Sequence, residues 1–92
     1  MLTVRAEGRF KKDVKKLAKS GSRDMSKLKT IIRKLEASGS LEREYKPHPL
    51  AGNWKDHMEC HIEADWLLVY RIDEKYNELI LVRTGSHSEL FS

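Results

Sequence analysis

Apolar side chains in the first half of the chain recur in a way that predicts one short strand and two helices. Residues 1–6 alternate weakly between apolar and polar side chains, as a strand does. Over about 8–19 and about 24–37 the apolar residues return every three or four positions, which is typical of amphipathic helices. Gly21 and Gly39 lie just past these segments, where glycine commonly ends a helix. The short link between the helices predicts an antiparallel hairpin.

The second half of the chain predicts an antiparallel sheet. Residues 40–53 are rich in proline and glycine and are expected to connect the hairpin to this sheet. A strand is predicted from Trp54 to Ile62. Two nearly continuous apolar runs, Trp66 to Ile72 and Glu78 to Thr84, are typical of strands buried on both faces, and residues 85–92 form a short tail. Alternation along the strand predicted from Trp54 to Ile62 separates two sets of side chains. It places Trp54, Met58, Cys60 and Ile62 on one face and Lys55, His57, Glu59, His61 and Glu63 on the other.

These elements fit a single domain covering residues 1–92, since chains split into separate cores only at greater length. The predicted fold class is α+β in two layers. The N-terminal strand and the helical hairpin belong with a mainly antiparallel sheet, and both helices pack on one of its faces. The opposite face is expected to stay open, so that functional side chains can lie there.

Composition narrows the class of protein. Hydrophobic residues make up 39% and charged residues 35% of the chain, which allows a modest core under a polar surface. No apolar run approaches the roughly 20 residues that cross a bilayer, and the N-terminus lacks the apolar segment of a signal peptide. Cys60 is the single cysteine, so an internal disulfide is excluded and a reducing compartment is favoured. We expect a cytoplasmic protein with no membrane partner.

Positive charge is concentrated in the first half of the chain. Residues 1–49 hold 14 Lys and Arg against 6 Asp and Glu, whereas residues 50–92 hold 4 against 8. Such asymmetry favours a polyanionic or oppositely charged partner, but a solvated helix surface explains it equally well. The basic residues of the first helix include Lys11, Lys12, Lys15 and Lys16.

The histidines and the cysteine do not fit a metal site or a thiol nucleophile. His57 and His61 are four residues apart, which on a strand separates them by roughly 13 Å, too far to share one ion. Cys60 points away from the face of His61 and lies among apolar neighbours, so a buried, inert thiol is expected. The glycines are scattered and form no phosphate-binding loop. We therefore expect no metal and no cofactor.

Acid–base chemistry fits the pattern better. His61 ends one strand, Asp65 lies in the turn beyond it, and Arg83 ends the last strand, with His87 following in the tail. A histidine can give or take a proton near neutral pH, and Arg83 can hold a phosphate oxygen in a fixed fork. RNA supplies its own nucleophile, the 2′-hydroxyl. A base, an acid and a cation therefore suffice to cleave RNA without a metal.

Structural roles remain open for the same residues. His57 is expected to be a surface residue without a catalytic part. Chemistry alone does not decide between a catalytic role and a structural role for these residues. The structural roles are a bridge between loop carbonyls for His48, a turn cap for Asp65, and an ion pair with Glu59 or Asp56 for Arg83.

Three motifs favour cleavage. They are HPLAGNWK at 48–55, ECHIEADWLLVY at 59–70 and LVRTGSHSELF at 81–91. With these motifs in the same order and at the same spacing, the chain from about residue 45 to the C-terminus resembles the YafQ-like branch of the RelE/ParE toxin superfamily. The first half resembles that branch mainly in pattern, through its short strand and basic helical hairpin.

This resemblance implies a RelE-like fold and a ribosome-dependent mRNA interferase, a toxin that enters the ribosomal A site and cuts mRNA there. It implies that His87 is the general acid. His48, His61 or Asp65 then helps to activate the 2′-hydroxyl, and the choice among these three stays open. The implied activity is that of a metal-independent endoribonuclease.

The resemblance also implies how the substrate is held and which partners exist. Arg83 stabilises the scissile phosphate, and Phe91 or Trp66 supports the site or stacks on a base. The expected partners are mRNA on the ribosome, ribosomal RNA and a cognate antitoxin protein, and the free toxin is expected to be a monomer. The basic helices are expected to grip ribosomal RNA through Lys11, Lys12, Lys15 and Lys16.

Two other functions compete with this reading. A ParE-like toxin that inhibits gyrase would share the fold but not the ribonuclease residues. A non-catalytic nucleic-acid-binding module would use the basic helices, bind in a salt-dependent way and cleave nothing.

Overall fold

The computed structural model describes residues 1–91, and Ser92 lies outside the described residues. Among those 91 residues, no helix is long and apolar enough to cross a membrane. Single 3₁₀ turns occur at Arg43–Tyr45 and Gly52–Trp54. The other elements, in chain order, are β1 (Thr3–Ala6), α1 (Gly8–Ser20), α2 (Met25–Ser38), β2 (His48–Pro49), β3 (Met58–Glu63), β4 (Trp66–Asp73), β5 (Glu78–Gly85) and α3 (His87–Phe91).

The five strands form one sheet in the order β1-β5-β4-β3-β2. β3, β4 and β5 form an antiparallel meander, as the alternation predicted, and β2 adds an antiparallel pair at one edge. At the other edge β1 pairs in parallel with β5. Parallel pairing needs a long connection between the two strands, and here the connection includes both helices, α1 and α2. The predicted α+β fold with a helical hairpin on one face is confirmed.

The two helices end where the glycines predicted. Gly21 and Gly39 adopt left-handed backbone conformations, with φ of 69° and 73°, and each donates its N–H to a carbonyl in the last helical turn. At the start of α2, the carboxylate of Asp24 accepts a hydrogen bond from the N–H of Ser26. The apolar stripes of both helices pack on the sheet. This main core contains Phe10, Leu17, Leu28, Ile31, Leu35, Cys60, Ile62, Trp66, Leu68, Tyr70, Leu79 and Leu81.

The opposite face of the sheet is partly covered, which corrects the expectation that it is open. The apolar runs of β4 and β5 alternate between the two faces, so they supply a second row of side chains away from the helices. α3 and the segment around residues 50–54 lie over this row. The second core contains Leu67, Val69, Ile80, Val82 and Leu90, with Leu50 and Trp54 packed against it.

The predicted start of β3 is wrong. Trp54 belongs to the 3₁₀ turn and not to the strand, which begins at Met58. Left-handed backbone at Gly52 (φ 63°) and Asp56 (φ 72°) turns the chain on both sides of Trp54, so alternation cannot extend through it. Trp54 therefore packs on the second core, whereas Cys60 packs under the helices as predicted.

Within the predicted tail of residues 85–92, whose last residue lies outside the described part of the chain, His87–Phe91 form the short helix α3. The carboxylate of Glu89 accepts a hydrogen bond from the N–H of Ser86 at 2.8 Å, which closes the turn that begins α3. Leu90 docks on the second core. α3 thereby carries His87 and Phe91 to the end of the sheet where β3 meets β4.

Candidate functional site

Three histidines from distant parts of the sequence form a row at one end of the sheet. The ring centroid of His61, on β3, lies 6.2 Å from that of His48 on β2 and 6.2 Å from that of His87 on α3. His61 is therefore the middle member. The strand pairing of β2 with β3 and the docking of α3 bring the other two rings to it. Rings at this spacing can reach opposite sides of one phosphodiester.

A buried glutamate, Glu59, lies beneath this row. Its side chain is 5% exposed, and its Oε1 is 3.2 Å from Nε2 of His48 and 3.9 Å from Nε2 of His61. Strand alternation puts Glu59 on the same face as His61 but does not mark it as a site residue. The signal that could have identified it is strand register, because Glu59 is the direct partner of His48 across β2 and β3.

The ring of His48 is oriented by its own loop. Its Nδ1 lies 2.7 Å from the carbonyl oxygen of Lys46. A carbonyl only accepts hydrogen bonds, so Nδ1 carries the hydrogen and Nε2 faces Glu59. His48 thus contacts one loop carbonyl and one buried carboxylate, which goes beyond the bridge between loop carbonyls considered above.

Asp65 is joined to His87 and not only to its own turn. Its Oδ1 accepts the backbone N–H of His87 at 3.1 Å and lies 3.4 Å from Nδ1 of the same residue. These hydrogen bonds, the backbone one first, hold the pKa of Asp65 below its ordinary value. Both side chains are largely exposed to solvent. The aspartate therefore orients the outermost histidine of the row.

Arg83 is engaged away from the histidines. Its guanidinium donates to both carboxylate oxygens of Asp13 on α1, at 2.7 and 3.1 Å, and its side chain is 12% exposed. The hydrogen bond with Asp13 raises the pKa of Arg83. Asp13 also accepts the backbone N–H of Thr84 at 3.1 Å. The alternative partners considered for Arg83, Glu59 and Asp56, are therefore wrong, and its fork is already filled.

The two aromatic candidates have different environments. Trp66 is fully buried in the main core, where its Nε1 donates to the hydroxyl of Thr84 at 3.0 Å. Burial excludes stacking of Trp66 on a base and leaves the supporting role. Phe91 is 38% exposed, and its ring centroid lies 6.1 Å from that of His87. Phe91 also makes an edge contact with Trp54 at 5.6 Å, which extends the row of rings beyond the histidines.

The remaining sequence candidates lie outside the row. His57 contacts the edge of Trp54, with ring centroids 5.4 Å apart, and contacts none of the three histidines among residues 1–91. The lysines of α1 lie on the helical layer and are exposed. One of them, Lys16, is 3.6 Å from Glu89 of α3. The lysine set comprises Lys11, Lys12, Lys15 and Lys16.

The donor chemistry of the site favours proton transfer. Within residues 1–91, no group of three or more His, Cys, Asp and Glu side chains is arranged to hold a metal ion. Cys60 is buried, and that burial raises the pKa of its thiol to about 12, so it is an inert core residue as predicted. The row offers imidazoles that give or take protons, with a carboxylate behind each end.

Comparisons with known proteins match this chain over nearly its full length. The family described as "Bacterial toxin of type II toxin-antitoxin system, YafQ" matches residues 2–92. The mRNA interferase toxin YafQ of Escherichia coli strain K12 is 40% identical over 89 residues, covering 96% of this chain and 94% of that protein. A solved E. coli DinJ-YafQ complex is similar with a TM-score of 0.87 and 38% identity, covering all of both chains. A metal-bound toxin from Helicobacter pylori has a TM-score of 0.90 and 46% identity, covering 99% of this chain and 100% of that one.

Proposed function

Because the chain belongs to the YafQ family of type II toxins, in the RelE/ParE superfamily, we propose that it cuts mRNA in the ribosomal A site by acid–base catalysis. The single observation that carries the proposal is the row of His48, His61 and His87, with the carboxylates of Glu59 and Asp65 against its two ends. These residues supply a base and an acid within one phosphodiester's reach. Protons, and no other chemical group, then move between protein and substrate.

The reaction balances with RNA and two imidazoles. The base removes the proton of the 2′-hydroxyl, and that oxygen attacks the adjacent phosphorus. The bond from phosphorus to the 5′-oxygen of the next nucleotide breaks, and the acid protonates the leaving oxygen. The products are a 2′,3′-cyclic phosphate and a free 5′-hydroxyl. No water and no metal is required for this step.

His87 is the proposed general acid. It is the most exposed of the three rings, and Asp65 fixes its Nδ1, so Nε2 points to the substrate. Because Asp65 already accepts two hydrogen bonds from His87, it serves the acid rather than acting as the base. The base is then His61 or His48, both of which face the buried carboxylate of Glu59. His48 can act as the base only if its Nε2 turns from Glu59 to the 2′-hydroxyl, because its Nδ1 donates to the carbonyl of Lys46.

The role that we propose for Arg83 differs from the one that the resemblance implies. A direct contact with the scissile phosphate requires it to leave Asp13, which it binds through both oxygens. We propose that the pair instead anchors the end of β5 to α1. His87 follows four residues after Arg83, so this anchor positions the acid. Phe91 remains the candidate for stacking on a base, because its ring is exposed beside His87.

The ribosome and an antitoxin are the proposed partners. The solved E. coli relative is a complex of YafQ with DinJ, and we propose that this chain has a cognate antitoxin as well. The basic helices are assigned to ribosomal RNA phosphates. Replacing four α1 lysines by glutamate would weaken ribosome binding. Three of them lie away from the row of rings, whereas Lys16→Glu also removes an ion pair with Glu89 of α3. The substitutions are Lys11→Glu, Lys12→Glu, Lys15→Glu and Lys16→Glu.

The deciding experiment is cleavage of mRNA programmed on purified ribosomes, with wild type and with His87→Ala. We expect cuts at A-site codons that fall by roughly 10²–10⁴ in rate with His87→Ala, the range for a general acid or base. The melting temperature should stay close to that of wild type, because the side chain of His87 is 58% exposed. His57→Ala, outside the row, is the matched control and should cut normally.

Metal independence needs a separate experiment, because the H. pylori relative is a metal-bound toxin. Cleavage by this chain should persist with a chelator that removes zinc and copper but leaves the Mg²⁺ that ribosomes need. Loss of cleavage there, restored by adding the metal, would overturn the metal-free mechanism. Ribosome binding without cleavage would favour a binding module, and inhibition of gyrase would favour the ParE-like alternative.

A further inference from the structure

A groove of about 330 Å³ opens beside His61, the middle ring of the row, and the proposed function leaves it unused. It runs along the outer edge of β3 towards the turn that leads to β4. One wall comes from the segment after α2 and the other from the end of β3. Its lining includes Tyr45, Lys46, His61, Ile62, Glu63 and Ala64.

The groove exists because β2 is too short to cover β3. β2 pairs only with Met58 and Glu59, and among residues 1–91 no strand pairs with the remaining outer edge of β3. Lys46 has left-handed backbone (φ 49°), which turns the chain between the 3₁₀ turn and β2. The segment before β2 therefore diverges from β3, and the gap between them starts at His61.

A second groove, of about 250 Å³, continues the first. Tyr45 and Ile62 line both, and the second extends to Lys27 and Thr30 on α2. Together they form a path, the β3-edge groove, from the histidines around the sheet edge to the basic helical layer. Tyr45 is held in place because its ring also packs against the main core. An RNA strand that extends from the histidines can thus reach the helices without crossing the second core.

One cation of the β3-edge groove is available to bind a phosphate. Glu63, its most enclosed acid, is already paired with Lys27 at 2.7 Å and with Arg23 at 3.4 Å. Lys46 is exposed, and its ammonium forms no ion pair with any of residues 1–91. The lining holds two lysines, Lys27 and Lys46, and two carboxylates, Glu44 and Glu63. Because Arg23 pairs with Glu63 from outside the groove, the charge of Lys46 is left for a phosphate. At the other end of the row, by contrast, the rings of Phe91 and Trp54 form an apolar surface.

We propose that the β3-edge groove binds the nucleotide next to the scissile phosphate. In it, Lys46 contacts the phosphate of that nucleotide and the ring of Tyr45 forms the wall against which its base packs. This inference rests on the proposed ribonuclease function and adds a subsite to it. It places the cut RNA between two different surfaces, a groove that offers Lys46 on one side of His61 and an aromatic surface on the other.

The test couples one lysine to one phosphate. Synthetic mRNAs carry a single neutral methylphosphonate at successive linkages on either side of the cut, and each is cleaved on ribosomes by wild type, Lys46→Met and Lys55→Met. Lys46 and Lys55 are both exposed, and Lys55 lies beside Trp54 at the other end of the row, so it is the matched control. For wild type we expect one neighbouring methylphosphonate to lower the cleavage rate by about tenfold at limiting toxin.

Lys46→Met should cut the all-phosphate mRNA about tenfold more slowly than wild type does. Placing the methylphosphonate at the sensitive linkage should then cause no further loss of rate in this variant. Lys55→Met should behave as wild type does. Equal additional losses in Lys46→Met and wild type at every linkage would overturn the subsite, and so would coupling to Lys55 instead. If wild type cleaves none of the mRNAs, the proposed function fails. Cleavage without coupling refutes the groove alone.

Discussion

The carboxylate of Asp65 holds His87 by two atoms, accepting its backbone N–H at 3.1 Å and facing its Nδ1 at 3.4 Å. The first contact fixes the start of α3 and the second fixes the ring that α3 carries. A carboxylate in this position selects the tautomer with hydrogen on Nδ1 and stabilises the charged ring. The fold thereby presents Nε2 of His87 to solvent, where a leaving oxygen can be protonated.

Asp65→Asn should keep the fold and lower the cleavage rate by about 10- to 100-fold, the usual cost of losing a group that orients a functional histidine. Asparagine can still accept the backbone N–H but does not stabilise a charged ring. The measurement is single-turnover cleavage on ribosomes over a pH series, beside a thermal melt. A normal rate with a normal pH profile would show that Asp65 only caps the chain.

The hydrogen bond from the N–H of His87 to Asp65 should also depend on pH. The N–H of His87 lowers the pKa of Asp65 in the folded chain, so the bond contributes stability above the unfolded value of about 3.9. That contribution is lost as the pH falls through the folded pKa. In an NMR titration, the His87 amide should shift at a pH below that of an exposed aspartate. Asp65→Asn should abolish the shift. An inflection at or above the ordinary value would contradict the assignment.

Glu59→Gln should separate catalysis from stability. Glutamine fills the same buried space but removes the charge that faces His48 and His61, so we expect cleavage to fall by about 10- to 100-fold. The melting temperature should hold or rise, because a buried carboxylate costs desolvation energy. Glu78→Gln, at the start of β5 where Glu78 pairs with Arg5, is the control and should retain near-normal cleavage. Equal losses in both variants would point to a general charge effect.

Asp13→Asn should mainly lower stability. The carboxylate of Asp13 joins Arg83 and the N–H of Thr84 to α1, and its neutralisation should reduce the free energy of unfolding by about 1–3 kcal/mol. Urea denaturation measures this change. Cleavage should fall only modestly at a temperature where the variant is folded. Faster cleavage without a loss of stability would show instead that Asp13 withholds Arg83 from the phosphate.

Local patterns predicted the fold because each depends on neighbours along the chain. Apolar spacing gave α1 and α2, left-handed glycines gave their ends, and the two-sided apolar runs gave β4 and β5. The same alternation put His61 and Cys60 on opposite faces, one in the site and one in the core. It failed at Trp54, where two left-handed residues interrupt the strand period.

Contacts between distant segments could not be predicted in this way. In the pairing of β4 with β5, Val69 pairs with Arg83 while Tyr70 pairs with Leu81, so Val82 is an extra residue that the apolar pattern of β5 does not reveal. The arginine then meets Asp13, which is 70 positions away in sequence. Its partner is decided by where α1 crosses the end of β5, and no local period carries that information.

The sequence by itself determined which side chains are available, and through three motifs it determined the family. The types of His61, Asp65 and His87 and their places at or beyond strand ends predict proton transfer, and the resemblance adds His48. Only the tertiary structure decided that Glu59 lies under His48 and His61, and that Asp65 serves His87. The physical reason is register: periodicity fixes the face on which a residue lies, but strand pairing and helix docking fix its neighbour.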